Sequence, residues 1–371
     1  MLKNYIGILS AIENKENLRR LTAHRAVASI PLAGKYRVVD FMLSNMSNAG
    51  ITTLGIFTDN DSRSLRDHVG TGRAWELNRR HGGIFMFSFN RSMNANYDVQ
   101  MLKDNLEFLY KAKEENVIFS STYMIANLDL KAAVAAHESS GRDITVIYKR
   151  VNDADKNFLN CDVLSMDTEG RVTDVAKNLG DNPQANICTE IFIMKKELLL
   201  TLIEKCAYID YAYNMKAVIY ENIGKLVVKG FEYKGYLACI NSLLSYYKTN
   251  MDMLSVDVTK ELFFNDSNPI YSKSKDSPPT RYYDGSVVQN ALVANGCIIK
   301  GTVKHSIVSR YTVIEEGAEV ENCILLQNCT IKSGVKIKNV IIDKNVTLDA
   351  GTELKGSDIY PLVIEKEIAH R

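Results

Sequence analysis

From Val308 onward the chain repeats. Aliphatic side chains recur at Val308, Ile314, Val320, Leu326, Ile331, Ile337, Ile342, Leu348 and Leu354, at spacings of 6, 6, 6, 5, 6, 5, 6 and 6 residues. A helix needs a period of 3.6 and a strand a period of 2, so neither accounts for the pattern. Runs such as Ile314-Glu-Glu-Gly-Ala-Glu and Ile331-Lys-Ser-Gly-Val-Lys, with small or polar residues between the aliphatics, mark a hexapeptide repeat. The expectation is a left-handed β-helix over residues 286–371. One coil cannot bury its own inner face, so coils stack, and the outer sides and ends of the prism are free to dock other subunits. A β-sandwich with irregular strands is the alternative, and the register kept over nine positions disfavours it.

Upstream, the period is different. Short apolar runs at Ile6–Leu9, Thr53–Phe57, Val117–Ser120, Ile144–Tyr148, Ile187–Met194 and Lys225–Val228 read as strands. Amphipathic stretches at Asp40–Asn48, Asp98–Glu115 and Leu130–Ser139 read as helices. This alternation predicts an α/β domain with a mostly parallel sheet over residues 1–255. Between them the sequence turns to Asn, Asp, Ser, Lys and Pro, punctuated by Ser277-Pro278-Pro279, and residues 256–285 are expected to be a linker.

Composition narrows the function classes. Apolar residues make up 46% of the 371, enough for two cores. Lys+Arg total 45 against 44 Asp+Glu, which argues against a globally basic nucleic-acid binder. The apolar stretch Tyr5–Leu9 is too short for a signal-peptide core and no run reaches membrane-span length, so no membrane association and a cytoplasmic location are expected. Seven cysteines, odd in number and without C-x-x-C, are expected to be reduced and mostly buried.

One block carries a specific resemblance. Arg25-Ala-Val-Ala-Ser-Ile-Pro-Leu-Ala-Gly-Lys-Tyr-Arg-Val-Val-Asp-Phe41, then Leu43-Ser-Asn45 and Asn48-Ala-Gly50-Ile, resembles the glucose-1-phosphate adenylyltransferase (ADP-glucose pyrophosphorylase) family, whose pattern is R-A-K-P-A-V-P-F-G-G-K-Y-R-I-I-D-F followed by L-S-N and N-S-G-I. Ser62-Arg-Ser-Leu65 and Ile342-Asp-Lys-Asn-Val346 fit further family blocks. The resemblance implies a Rossmann-like nucleotidyltransferase domain followed by the β-helix, and a reaction joining glucose 1-phosphate to the adenylyl group of ATP with release of pyrophosphate. Such chemistry needs a glycine-rich turn for the triphosphate, cations for the phosphoryl oxygens and carboxylates for Mg²⁺.

The chain departs from the family at those places. Where the resemblance expects G-G-x-G-T-R-L, it has Ser10-Ala-Ile-Glu-Asn-Lys-Glu-Asn-Leu18, with no glycine from Ile8 through Ala33 and Asn17 near the place of the arginine. Residues bearing side chains do not readily adopt the positive φ that brings amides onto a phosphate. Val27 replaces the block lysine. Phe119-Ser-Ser-Thr-Tyr123 stands where L-S-G-D-H is expected, placing Thr122 at the first metal aspartate; Cys239 takes the second, in Y-W-R-D-V-G-T. A thiol is a poor ligand for a hard ion such as Mg²⁺. Asn96-Tyr-Asp-Val-Gln100 stands where G-T-A-D-A is expected. Lys177 matches the lysine of V-E-K-P and is a candidate for residual sugar-phosphate binding, while Glu190 replaces a glycine.

Jointly these losses imply a regulatory, non-catalytic glycogen-biosynthesis subunit that binds no cofactor or metal of its own and packs with a catalytic, Mg²⁺-using partner in a mixed tetramer. A weakly active enzyme is the alternative. A hexapeptide acyltransferase using His305 is a distant third. By the same resemblance His24, Arg25, Lys35, Arg37 and Lys344 are candidates for a sugar-phosphate or nucleotide effector site, against the plainer reading that Lys35, Arg37 and Asp40 form an ordinary ion-pair cluster.

Overall fold

The computed structural model describes residues 1–13, 15–23, 25–59, 62–78, 82–89, 98–206 and 214–366. His24 and residues 96 and 97 of the Asn96–Gln100 stretch therefore lie outside the described residues.

Nine strands form the sheet of the first unit. Its centre is parallel: Asn116–Ser121 pairs with Tyr5–Ala11, which pairs with Thr53–Asp59, which pairs with Gly83–Phe89. Apolar side chains fill both faces of Tyr5–Ala11, all seven residues being buried, as a doubly covered parallel strand requires. Beyond Asn116–Ser121 the sheet changes sense. Ala185–Lys195 enters antiparallel to it and also pairs antiparallel with Ile144–Val151 and Asp162–Met166; Val172–Lys177 closes that edge, and Val228–Glu232 returns parallel to Ile144–Val151. The sheet is thus mixed, with its parallel half carrying the first strand and its antiparallel half built on Ala185–Lys195.

Two local expectations shift. The helix expected over 98–115 is two, Asp98–Asp104 and Leu106–Lys111, because the Asn105 side-chain amide bonds back to the Met101 carbonyl at 2.8 Å and interrupts the helical ladder. The strand expected at Lys225–Val228 starts only at Val228, because Lys225 and Leu226 still donate to the Asn222 carbonyl in a turn.

The repeat region forms three five-stranded parallel sheets, strands stacking on others 15 to 17 residues away, as in Arg281↔Ile298↔Val313↔Thr330↔Thr347, except for the last pair, Val340↔Leu362, which is 22 apart. Two faces stack Ile299, Ile314, Ile331 and Leu348, and Val303, Val320, Ile337 and Leu354. On the third face the stack is Val308, Leu325, Ile342, so Leu326 is not the interior residue that the spacing names. Leu326 is buried for a different reason. It joins Ile307, Ile324 and Ile341 in a cluster with Phe41, Leu243, Tyr246 and Met253 of the first unit, so this face is apolar on both sides and seals the two units together. Corners of the coil require left-handed backbone, supplied by Gly317, Gly334 and Gly351 at one edge and by Asn290, His305, Asn322 and Asn339 at another. His305, at φ 45°, is a corner residue whose ring bonds the Asn290 amide at 2.9 Å.

The 256–285 segment is not a bare linker. It opens with the helix Val256–Phe263, whose Leu262 is buried in the same interdomain cluster and whose Phe263 stacks on Tyr36 at 4.6 Å; it ends in Arg281–Tyr282, the first strand of the β-helix. The polar composition hides three apolar side chains on one helix face, which tertiary contact selects.

Candidate functional site

Tyr5–Ala11 and Asn116–Ser121 end side by side, with Ser10 in register with Ser121. Ligand sites of α/β sheets form beyond such carboxyl ends. Here the continuing segments line a cleft of about 460 Å³, bounded by Ser10, Glu13, Asn17, Ser121 and Tyr123 on one side and by Asn160, Lys177, Glu190, Lys216 and Asn241 on the other, with Asp98 between.

Charge in the cleft is internally paired. Asp162 holds Lys177 at 2.6 Å and Lys216 at 2.9 Å, and accepts from the Tyr220 hydroxyl at 3.1 Å. Lys216 also reaches the Glu190 carboxylate, to which the Tyr123 hydroxyl donates. Burial opposes the Lys216 charge, but Glu190 and Asp162 outweigh it and hold its pKa above the ordinary lysine value. Burial likewise opposes ionisation of Asp162, and Lys216 and Lys177 bring its carboxyl below the usual range. Glu190 sits at φ 57°, a conformation natural to the glycine that the family pattern has there. Holding a glutamate in that region costs about 1–2 kcal/mol, so its contacts with Lys216 and Tyr123 stabilise a strained position.

Glu13 folds across the strand end. Its carboxylate accepts from the Thr122 N–H at 3.0 Å and from the Thr122 hydroxyl. Burial nonetheless pushes it up to about 7. Asp98 accepts from Ser10 at 2.9 Å and from the Met215 N–H at 2.6 Å, and burial pushes it up to about 6.

Of the positions singled out in the sequence, Asn17 and Lys177 line this cleft, and Thr122 lies at its edge under Glu13. Val27 is fully buried in the interdomain apolar cluster. Cys239 is buried with its sulfur 3.3 Å from that of Cys161, and burial raises its thiol well above the ordinary value, so it is a neutral packing group. Among the described residues no group of three or more His, Cys, Asp or Glu is placed to hold a metal ion. Neither Thr122 nor Cys239 offers Mg²⁺ a carboxylate, so the donor set does not fit that ion and supports no metal-dependent step.

A second constellation lies between the two units. Arg25 forms a buried ion pair with Asp343 of the β-helix, its Nη2 donating to both carboxylate oxygens at 2.7 and 2.8 Å, and its other terminal nitrogen has no partner among the described residues. Arg37 donates to the Ser64 carbonyl at 2.7 Å and hydroxyl at 2.8 Å; burial pulls its pKa down. Lys344 is pushed down to about 8 by burial and by Arg25 and Arg37. Lys275 is lowered by burial, then by Arg310 and Arg37, and Arg310 is lowered by burial. Arg25 and Arg37 are thus near enough to Lys344, and Arg310 and Arg37 near enough to Lys275, for their charges to act on those ammonium groups. Lys35 is exposed, its ammonium 5.2 Å from the centre of the Tyr36 ring. The ion-pair cluster of Lys35, Arg37 and Asp40 does not form: Asp40 accepts from the Arg37 backbone N–H at 2.9 Å and bonds the His68 ring at 2.5 Å.

Sequence reasoning does not find Asp162, Lys216 or the Arg310 and Lys275 contribution. Nothing local marks them, since each is brought to its site by a different strand, helix or coil. Glu190 at a glycine position is the one visible signal.

Comparison with known proteins places these features in a lineage. Residues 16–178 match the nucleotidyl transferase family model, and residues 279–359 match the GlmU-like C-terminal hexapeptide model. The chain is 31% identical over 365 residues to the glycogen biosynthesis protein GlgD of Bacillus subtilis, covering 97% of this chain and 95% of that one. It is 32% identical over 327 residues to GlgD of Geobacillus stearothermophilus, covering 86% and 84%. It is also 27% identical over 333 residues to the glucose-1-phosphate adenylyltransferase of Bacillus mycoides, covering 86% of each. Among the described residues no helix is long and apolar enough to cross a membrane.

Proposed function

Since the chain belongs to the GlgD family of glycogen biosynthesis proteins, within the wider glucose-1-phosphate adenylyltransferase group, we propose that it is a regulatory subunit without turnover of its own. It associates with a catalytic, Mg²⁺-using subunit that makes ADP-glucose and pyrophosphate, in a mixed tetramer in the cytoplasm. The observation that carries this reading is the state of the two metal positions. Thr122 is occupied in binding Glu13, and Cys239 is a buried thiol against Cys161. Asn17 and Val27 add the loss of two cations from the same machinery, and removing members of a unit that acts together removes most of its rate. Residual sugar-phosphate binding would require Lys177 to exchange Asp162 for a phosphate.

Regulation is assigned to the junction of the two units. A phosphorylated effector would bind the cations Arg25, Arg37 and Lys344, with Arg310 and Lys275 nearby and Lys35 at the periphery; His24, outside the described residues, is retained as a candidate from the sequence alone. The depressed Lys344 pKa and the unpartnered Arg25 nitrogen support an anion there. Such a ligand biases the partner only if it binds the two quaternary states unequally.

The test is co-expression with the catalytic subunit of the same genome, mass measurement of the complex, and kinetics with and without effectors. The expected result is a mixed complex with altered kcat or effector response and no ADP-glucose formed by this chain alone. Turnover by the chain alone, free of host enzyme, would establish the weakly active alternative; absence of any complex would remove the regulatory mechanism.

A further inference from the structure

The cleft beyond the first strand is open rather than filled in. A vacated site that had merely decayed would be expected to close with apolar side chains, whereas this one keeps about 460 Å³, within the ~300–1,000 Å³ of small-molecule sites. Most of its lining residues carry hydrogen-bonding groups, with Ile12, Phe119 and Ile240 supplying apolar wall between them. Two are unpartnered among the described residues: the hydroxyl of Ser121, a residue only 6% exposed, and the second carboxylate oxygen of Glu13. A buried polar atom without a partner costs about 1–3 kcal/mol, so a ligand that supplies a hydroxyl to each would recover that loss.

The charge balance selects the ligand class. Lys177 and Lys216 face four carboxylates, those of Glu13, Asp98, Asp162 and Glu190, and both ammonium groups are already paired. The Thr122 N–H is already bonded to Glu13 and is not free to receive an anion. A phosphate would find both ammonium groups already satisfied by Asp162 and Glu190 and would have to displace one of those carboxylates. An uncharged polyol meets acceptors in Glu13 and Glu190, amides in Asn17, Asn160 and Asn241, and the hydroxyl of Ser121, with the Tyr123 and Phe119 rings as apolar walls.

We propose that this cleft is a binding site for an uncharged, hydroxyl-rich ligand, a saccharide without a phosphate group, formed by Ser121, Glu13, Asn160, Glu190 and Lys216. The strained φ of Glu190, fixed by Lys216 and Tyr123, then positions an acceptor toward the cleft instead of being a tolerated defect.

The experiment is saturation-transfer NMR and calorimetry on the full chain, using glucose and maltose as probes against glucose 1-phosphate and Mg-ATP. The neutral sugars are expected to bind at least tenfold more tightly than either phosphorylated probe. Ser121→Ala, which removes one hydroxyl, and Asn17→Ala, on an exposed position, should each weaken glucose or maltose by about threefold to tenfold. Unchanged melting temperature identifies the loss as a contact effect, and having two variants keeps the test intact if one misfolds. No transfer to glucose or maltose, or tighter binding of glucose 1-phosphate, would overturn the proposal; the second result would return the cleft to residual sugar-phosphate binding through Lys177. Neither outcome bears on assembly with a catalytic subunit, which is read from the complex.

Discussion

Asp343→Asn should loosen the seat of the β-helix on the α/β unit. The Arg25 and Asp343 side chains are each only 8% exposed, and the guanidinium holds both carboxylate oxygens, at 2.8 and 2.7 Å. Removing the charge of one partner leaves a buried cation with one acceptor in place of two. Breaking such a pair typically costs about 3–5 kcal/mol, most of it the penalty of the stranded charge. In a chain of this size about 2 °C of melting temperature accompanies each kcal/mol, so a fall of roughly 6–10 °C is expected. The joint replacement Arg25→Met with Asp343→Leu removes both charges and keeps apolar volume at the junction. It should recover to within about 1–2 kcal/mol of the parent, giving a coupling energy well above the ~0.5 kcal/mol scatter of independent sites. The assay is thermal unfolding followed by circular dichroism, which reports both units, and by fluorescence of Trp75, the single tryptophan, which lies in the core of the first unit and reports the melting of that unit. A single variant melting within about 2 °C of the parent, or a double variant as unstable as the single, would refute the view that a desolvated ion pair clasps the junction.

Three further outcomes follow from the same geometry. Cys239→Asp restores a family carboxylate in name only: buried beside Cys161 it should lower the melting temperature by several degrees and give no stabilisation by Mg²⁺ in a thermal scan, whereas Mg²⁺-dependent stabilisation would show a usable ligand. Glu13, raised to about 7 against an ordinary 4.5, holds a proton in the folded chain that the unfolded chain has released between those values, so stability falls as pH rises through that window. Glu13→Gln should remove the upper part of that slope and leave the part below about 6 owed to Asp98; chemical denaturation across pH 4.5–8 that shows the parent and variant in parallel would contradict the assignment. Gly334→Val, at a corner with φ 69°, should cost about 1–2 kcal/mol or more, while Asn328→Gly, at φ 60°, should be nearly neutral; urea midpoints ranking them in the opposite order would contradict the corner argument.

How far the sequence carries depends on the range of the interaction. Apolar runs located five of the six named strands, because a strand buried on both faces must be apolar along its length whatever it pairs with. Three strands escape such a reading: Asp162–Met166 and Val172–Lys177, the last pair on one side of the sheet, where exposed and buried residues mix, and Gly83–Phe89, which closes the opposite edge. The helix Val256–Phe263 is hidden for the same reason, as its few apolar residues gain meaning only from the partner they meet.

In the site, the division is sharper. Identity at Asn17, Val27, Thr122 and Cys239 is a property of the chain alone, and a missing carboxylate is missing in any fold. The hexapeptide spacing likewise dictated stacked coils, because each coil has an inner face it cannot bury alone. Tertiary structure alone decided that Leu325 and not Leu326 faces the prism, that Arg25 pairs through one nitrogen with Asp343, and that Asp162 and Lys216 meet Lys177 and Glu190 in one cleft. Each of these is a contact between residues on different elements of the fold, or a choice of which side of a strand meets a neighbouring unit. Local propensity and spacing carry no term for such choices, whereas packing and desolvation in the assembled fold do.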